Sequence, residues 1–293
     1  MNVIDSDNRI SRAHSLVDDL FDGNQTRNYQ LAIRLGTDGI SAAVWDDVFN
    51  KILAVEQFSF QKVFNVNVLL NLSTAAIRQS QVLGSSYKKV SLSLVNQKST
   101  LVPNALFDSG EKEALLKFNH VLESGEITAI DNLSNLDAKN IYAYSEVVGK
   151  SFQELYPGLK INHFSSPLIE SALLRYKNKE AVSVVVHVQN SFEQILVVKS
   201  GKLTFYNCFV FHTAEDFIYY LLFVFEQLQL NPESTDVELM GELDKKSPAW
   251  QLAYNYVRNV RFADQPDSFE YSFKLASLPK HRYCSLYAQF LLS

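Results

Sequence analysis

From Tyr29 onward the hydrophobic and polar positions follow an ordered pattern. Leu31, Ile33 and Leu35 alternate with Ala32 and Arg34, Thr37-Asp38-Gly39 supplies a turn, and residues 40–45 are apolar again, which predicts a β-hairpin. A second turn at Asp46-Asp47 and Asn50 leads into a third strand over 52–60, with Phe58 and Phe60 on one face. Val66, Leu69, Leu70 and Ile77 then recur at helical spacing, and residues 90–95 read as a further strand. The same order returns later as strands over 182–186, 195–198 and 203–211, a helix over 216–230 and a strand over 236–240. Adding 151 to the first set superposes Lys51-Ile52 on Lys202-Leu203, Phe58 on Phe209 and Phe60 on Phe211, and the register slips by about four residues after the helices.

Three antiparallel strands, a helix and a further strand, occurring twice, predict two similar α/β domains with mixed sheets and flanking helices, related by a pseudo-twofold. The boundary is expected near 159–167, where Pro157-Gly158 and Ser165-Ser166-Pro167 interrupt the pattern. The expected division is an N-terminal arm over 1–28, a first domain over 29–165 with an insertion over about 101–144, and a second domain over 166–293. Further helical patterns cover 145–156, 167–176, 248–260 and 283–292, while 262–273 reads as extended or looped.

Composition narrows the partners. The 293 residues carry 27 basic and 32 acidic side chains, a formal net charge of −5, without the cationic footprint that nucleic-acid binding needs. The longest apolar run, 217–225, is about half of the roughly 20 residues a membrane helix requires. The N-terminus lacks the basic-then-apolar layout of an export signal, so no membrane contact is expected and the chain is placed in a bacterial-type cytoplasm. Cys208 and Cys284 are the only cysteines and have neither C-x-x-C spacing nor a histidine at metal-ligand spacing.

The order of elements from about Tyr29 to the C-terminus resembles the actin-like ATPase superfamily of sugar kinases, heat-shock ATPases and actins. The resemblance implies two ribonuclease-H-like domains that clamp a nucleotide in the cleft between them. More closely, Thr100-Leu101-Val102-Pro103-Asn104-Ala105-Leu106-Phe107 and Glu215-Asp216-Phe217-Ile218-Tyr219-Tyr220-Leu221-Leu222 resemble an uncharacterised family of Bacteroidetes proteins, which implies the same fold and carries over no activity. The superfamily's first phosphate loop reads Asp-x-Gly-Thr/Ser. It matches Arg34-Leu35-Gly36-Thr37, with a guanidinium at the acidic position that organises hydrated magnesium. A second Asp-x-Gly should follow the strand over 182–186. The chain offers His187-Val188-Gln189-Asn190, and the acidic position falls on Val185 or His187. The paired glycines of the adenosine loop reduce to Gly241, with Glu242 in the second place.

These matches make Arg34, Gly36, Thr37, Asp38, His187 and Gly241 the candidate cleft positions, with no catalytic residue and no metal ligand among them. No cofactor is expected, and magnesium-ATP is disfavoured. Arg34 also reads as a strand residue paired with Asp38 or Asp46, and Thr37-Asp38-Gly39 as a plain hairpin turn. The six histidines are dispersed. His163 and His212 sit at element ends, where capping or packing is expected, and Thr213 with Asp216 marks a helix start. Ser200-Gly201-Lys202 lacks the upstream glycine of a P-loop, and no G-x-S-x-G is present.

Phe209, Phe211, Phe217, Tyr219, Tyr220, Phe223 and Phe225 crowd one strand and helix. They read as a thick core at the domain junction or as a face for a protein partner or second copy, which Tyr254, Tyr256, Tyr283 and Tyr287 would extend. The resulting expectation is a non-catalytic actin-like interaction or scaffolding module. The alternatives are a kinase or ATPase with a metal site rebuilt from Asp38, Asp46 or Glu242, and a small-ligand sensor using the interdomain cleft with Arg34 as the anion contact.

Overall fold

The computed structural model describes residues 9–189 and 191–292. Its first sheet is built from β1 (Ile10–Val17), β2 (Gln30–Gly36), β3 (Gly39–Asp46) and β4 (Lys51–Phe60), followed by helix α1 (Val66–Gln79) and strand β5 (Lys89–Leu94). An inserted segment then gives β6 (Ser99–Pro103), α2 (Lys112–Lys117), β7 (Glu126–Leu133) and β8 (Ala138–Ser145). Helix α3 (Glu146–Leu155), strand β9 (Lys160–His163) and helix α4 (Ser165–Arg175) come next. The second sheet follows as β10 (Ser183–Val188), β11 (Phe192–Lys199), β12 (Lys202–Val210), α5 (Ala214–Gln227), β13 (Asp236–Gly241), α6 (Pro248–Tyr256) and β14 (Asn259–Phe262).

The chain divides into two compact units, the described parts of Met1–Pro167, Asp267–Ser277 and Leu286–Ser293 in the first and Leu168–Pro266 with Leu278–Ser285 in the second. The first sheet runs β1-β4-β3-β2-β5-β9 and the second β12-β11-β10-β13-β14. Without β1, both have three antiparallel strands followed by two parallel ones, the ribonuclease-H-like arrangement in each unit. The inserted strands form a separate antiparallel sheet, β6-β8-β7, with its own small core of Val102, Leu116, Ile141 and Ala143.

Local chemistry starts the helices where the sequence indicates. Asn65 caps α1 by accepting from the Val68 N–H at 2.9 Å, and Ser247 caps α6 ahead of Pro248. Thr213 and Asp216 form a capping box on α5. Each sheet then buries one apolar face under helices. Leu31, Ile33 and Leu35 share a core with Leu72 of α1 and Phe152 of α3, while Val184, Val186 and Val188 share one with Phe217 and Leu221 of α5.

The structure departs from the sequence reading in several places. Residues 10–17, expected within an arm, pair antiparallel with β4. Residues 267–277 and 286–292 group with the first unit, where β15 (Glu270–Tyr271) pairs with β4, and the Gln289 side chain bonds Ser91 Oγ and the Ile33 carbonyl. The helix over 248–260 stops at Tyr256, and its last residues become β14. The terminal helix is one turn, α7 (Cys284–Tyr287), running into a 3₁₀ segment. These pieces are two to eight residues long, too short for periodicity to identify.

The aromatic cluster divides. Phe217, Phe225, Tyr283 and Tyr287 are buried, whereas Tyr219, Phe223, Tyr254 and Tyr256 are exposed. Among the described residues no helix is long and apolar enough to cross a membrane.

One buried group conflicts with its surroundings. Glu193 is fully buried, opposite Val188 and Phe209, and neither carboxylate oxygen has a hydrogen-bond partner. Burial pushes its pKa up to about 9. An unfolded chain releases this proton near 4.5, whereas the folded chain keeps it to about 9, so stability contributed by the neutral form declines as pH rises across that window. At pH 7 the penalty is of order 3 kcal/mol by the usual conversion of pKa shift to free energy. Glu193→Gln is therefore expected to raise thermal stability more at pH 8 than at pH 5. A gap between variant and wild type that stays constant across that range in calorimetry would contradict the assignment.

Candidate functional site

In the first unit, β2 and β3 close on the pair Gly36 and Gly39, leaving Thr37 and Asp38 as the turn. Arg34 lies two residues before that closure. Its cross-strand neighbours are Ser41 on β3 and Ser93 on β5. Beyond them, Gln57 pairs with Ser41 and Asn162 with Ser93, so a row of five polar side chains crosses β4, β3, β2, β5 and β9. All five are buried, and Ser93 Oγ is 3.3 Å from Asn162 Oδ1.

A buried guanidinium keeps its charge and requires an anion. Asp38 supplies it: Arg34 Nη2 donates to Asp38 Oδ2 at 2.7 Å. Asp46, the other candidate partner, accepts instead from the Val48 and Phe49 backbone N–H groups at 3.0 and 3.2 Å. The Asp38 carboxylate also lies over Gly36, where a Cβ would overlap it. The first loop is thus closed by its own side chain, with Thr37 exposed at the tip.

In the second unit the corresponding hairpin closes by the Gln189 N–H donating to the Phe192 carbonyl at 2.9 Å. Matching the two closures gives an offset of 153, from Gly36 to Gln189 and from Gly39 to Phe192. That register puts His187, and not Val185, where Arg34 stands, with Gln189 in place of the glycine. Asn190 lies outside the described residues. His187 is buried, pairs across strands with Gln194 and Met240, and has Ser285 Oγ at 2.9 Å from Nε2.

Gly241 ends β13 opposite Val188, with φ at +92° and no room for a Cβ against the Val188 carbonyl. Its N–H donates to the His281 carbonyl at 3.1 Å, and the Glu242 N–H to the Val188 carbonyl at 2.9 Å. Burial lowers the pKa of His281, whose ring stacks on Phe262 and whose Nε2 is 2.8 Å from the Leu243 carbonyl.

The candidates therefore fall into two groups, Arg34, Gly36, Thr37 and Asp38 in the first unit and His187 and Gly241 in the second. This donor set does not fit a magnesium nucleotide. Hydrated magnesium needs a carboxylate free to accept from its waters, and the one in the first loop is engaged by a guanidinium. The second loop presents imidazole and amide side chains where an anion and a bare backbone are required. Among the described residues, no group of three or more His, Cys, Asp or Glu could hold a metal.

Sequence reasoning missed a second polar cluster. His163 Nε2 faces the Asn96 carbonyl at 2.9 Å, so that nitrogen carries the proton and Nδ1 accepts from Ser165 Oγ at 2.6 Å. Asn140 Nδ2 donates to Ser165 and Ser166, and Ser166 donates to Asp131 Oδ2 at 2.6 Å. The Ser–His pair resembles an activated nucleophile, but His163 and both serines are at most 1% exposed, beyond the reach of a substrate. Burial brings His163 down to about 3 and Asp131 up to about 6. The cluster joins β7 and β8 of the inserted sheet to the β9–α4 connection, consistent with the packing role expected of His163.

A family model described as "Protein of unknown function (DUF3822)" matches residues 18–260. Among solved structures, a Bacteroides thetaiotaomicron VPI-5482 protein described as having an actin-like ATPase fold and unknown function aligns with a TM-score of 0.77 at 22% identity, over 93% of this chain and 99% of that one. A chain of the PilM-PilN type IV pilus biogenesis complex aligns with a TM-score of 0.60 at 12% identity, over 91% and 98%. At these identities the likeness is one of fold. No curated protein matches the chain.

Two substitutions test the packing of these loops. Gly241→Ala meets both a left-handed backbone and the Val188 carbonyl, and is expected to destabilise by about 2 kcal/mol or more. Asp38→Ala strands a buried guanidinium and should cost about 3 kcal/mol. Denaturant midpoints read both, and an Asp38→Ala midpoint equal to wild type would show that the ion pair is dispensable.

Proposed function

This chain belongs to the DUF3822 family of proteins of unknown function and has the actin-like ATPase fold, and from that premise we propose that it is a non-catalytic member of the fold that works by binding other protein chains. The observation that carries this reading is the Arg34–Asp38 ion pair. Phosphoryl transfer in such a fold depends on positioning and on neutralising charge through a metal. A loop whose only carboxylate is bound to its own arginine and lies across its glycine supplies neither. The second loop supports the same conclusion, since His187 and Gln189 offer magnesium no anionic oxygen.

The protein-binding part rests on the surface of the second unit. Tyr219 and Phe223 project from α5 as a stacked pair, 6.3 Å between ring centroids, and are 61% and 38% exposed. Tyr254 and Tyr256 are exposed on α6, which packs beside α5. Exposed aromatic side chains provide large contact area at low entropic cost and are enriched in protein interfaces. The PilM-PilN complex gives an example of a chain of similar fold assembled with a second protein.

Purified protein incubated with magnesium-ATP is expected to show no phosphate release above a protein-free control and no thermal shift. Magnesium-dependent release that disappears in Asp38→Asn would overturn the non-catalytic reading. For the aromatic face, Tyr219→Ser combined with Phe223→Ser should change folding stability by less than about 1 kcal/mol, as befits exposed positions, whereas Phe217→Ala should cost about 3–5 kcal/mol. A double variant as unstable as Phe217→Ala would make these rings core and remove the face from consideration.

A further inference from the structure

The sheet face that carries Arg34 has a second polar end. Strand pairing puts Gln30 opposite Lys89 and Ser91 opposite Lys160, and residue parity along β2, β5 and β9 places all four on the same face as Arg34. They lie at the N-terminal ends of these parallel strands. Gln30 is four residues from Arg34 along β2, about 13 Å at the usual strand rise. A cavity of about 370 Å³ opens there, lined by Gln30, Lys88, Lys89, Ser91, Lys160 and Phe290 together with apolar neighbours. That volume lies within the range of small-molecule sites.

Charge and hydrogen bonding restrict what fits. Three lysines line the cavity and no acidic side chain does. Lys88 Nζ and Gln30 Nε2 each donate to Asp47 Oδ2 at 2.8 Å, and the lysine bond chiefly holds this carboxyl below its ordinary pKa. Lys160 Nζ donates to the neutral Leu292 carbonyl at 2.6 Å, and neither Lys89 nor Lys160 forms an ion pair among the described residues. With Lys88 matched by Asp47 and Lys160 partly offset by its charge interaction with Asp131, the cavity keeps a net positive charge. Gln30 is 4% exposed, and its Oε1 is a buried acceptor with no hydrogen-bond partner.

We propose that this cavity binds a small phosphate monoester. A monoester carries about −1.5 to −2 charges near neutral pH, opposite in sign to the cavity. Its phosphate sits against Lys89 and Lys160, and its carbon body lies beside Phe290. The C-terminal segment that supplies Phe290 is held over this face by Gln289, through Ser91 Oγ at 3.0 Å and the Ile33 carbonyl at 3.2 Å. The assignment is separate from the phosphate loops and does not depend on whether they bind nucleotide.

The full chain carries its own reporter. Trp45 lies 5.4 Å from Phe290 between ring centroids, and Trp250→Phe leaves it the only tryptophan. Titration of that variant with glycerol 3-phosphate is expected to change Trp45 emission saturably at millimolar concentration or below, with glycerol inert and inorganic phosphate weaker. Lys89→Glu should weaken the response about tenfold or more, roughly 1.4 kcal/mol, while Lys245→Glu, the same charge change in the second unit, leaves it unchanged. Glycerol 3-phosphate should also slow acetylation of Lys89 and Lys160, read by mass spectrometry, relative to Lys245. Equal loss in Lys89→Glu and Lys245→Glu, or neither saturation nor protection, would overturn the site. Binding confined to phosphatidic-acid vesicles, which display the same monoester on a lipid, would overturn the assignment to a soluble ligand.

Discussion

A guanidinium that cannot discharge has to be answered by an anion wherever the fold buries it, and at Arg34 the fold buries it between Ser41 and Ser93 in the middle of a sheet. Only a short turn separates it from Asp38, so the pair forms within the hairpin itself. The shape of the first loop follows from this interaction. The carboxylate rotates inward across Gly36, the exposed tip is left to Thr37, and the neighbouring positions are filled by neutral groups that tolerate a satisfied ion pair. The second unit meets the corresponding position with His187, whose Nε2 lies 2.9 Å from Ser285 Oγ on a distant segment, so the two positions are satisfied by different chemistry.

Both sheets have an apolar face covered by helices and an opposite face on which the chemistry is concentrated. In the first unit that face carries polar side chains at both ends, Arg34 near the C-terminal edge of β2 and Lys89 and Lys160 at the N-terminal edges of its neighbours, with Ala32, Ala43 and Trp45 between or beside them. Hydrogen bonding does work there that oily packing does elsewhere. Gln289 fastens the returning C-terminal segment, and the network of His163, Ser165, Ser166, Asn140 and Asp131 fastens the inserted sheet. Such buried networks are strong while every member is paired and fail together when one is removed. The positions around them are therefore more constrained than their polarity suggests.

The strands and helices of the two repeats were legible because each is long enough to show its period and is bounded by recognisable turn or cap chemistry. The Thr37-Asp38-Gly39 turn, the Thr213 and Asp216 cap and the Pro248 helix start are examples. The inserted segment was visible as an interruption but not as three strands, because its alternation is weak and its core is only four buried residues. β1, β9, β14 and β15 gave little signal, since their stability comes from a neighbouring strand's free edge. The aromatic stretch showed its density without its direction. Phe217 and Tyr219 differ by two residues and face opposite environments, a distinction set by what packs against α5.

The amino-acid sequence by itself determined the central strands of the two repeats, the helix that follows the hairpins in each, and the presence of Arg34 and His187 where a carboxylate would head a phosphate loop, because these depend on residue type and on spacing within one element. Tertiary structure decided that Arg34 pairs with Asp38 and not Asp46, that His187 and not Val185 is its counterpart, that Tyr283 and Tyr287 are buried, and that three lysines meet at one cavity. Each of these is a relation between residues on different strands or turns. Cross-strand register and the approach of distant segments carry that information, and neither is written in any local period.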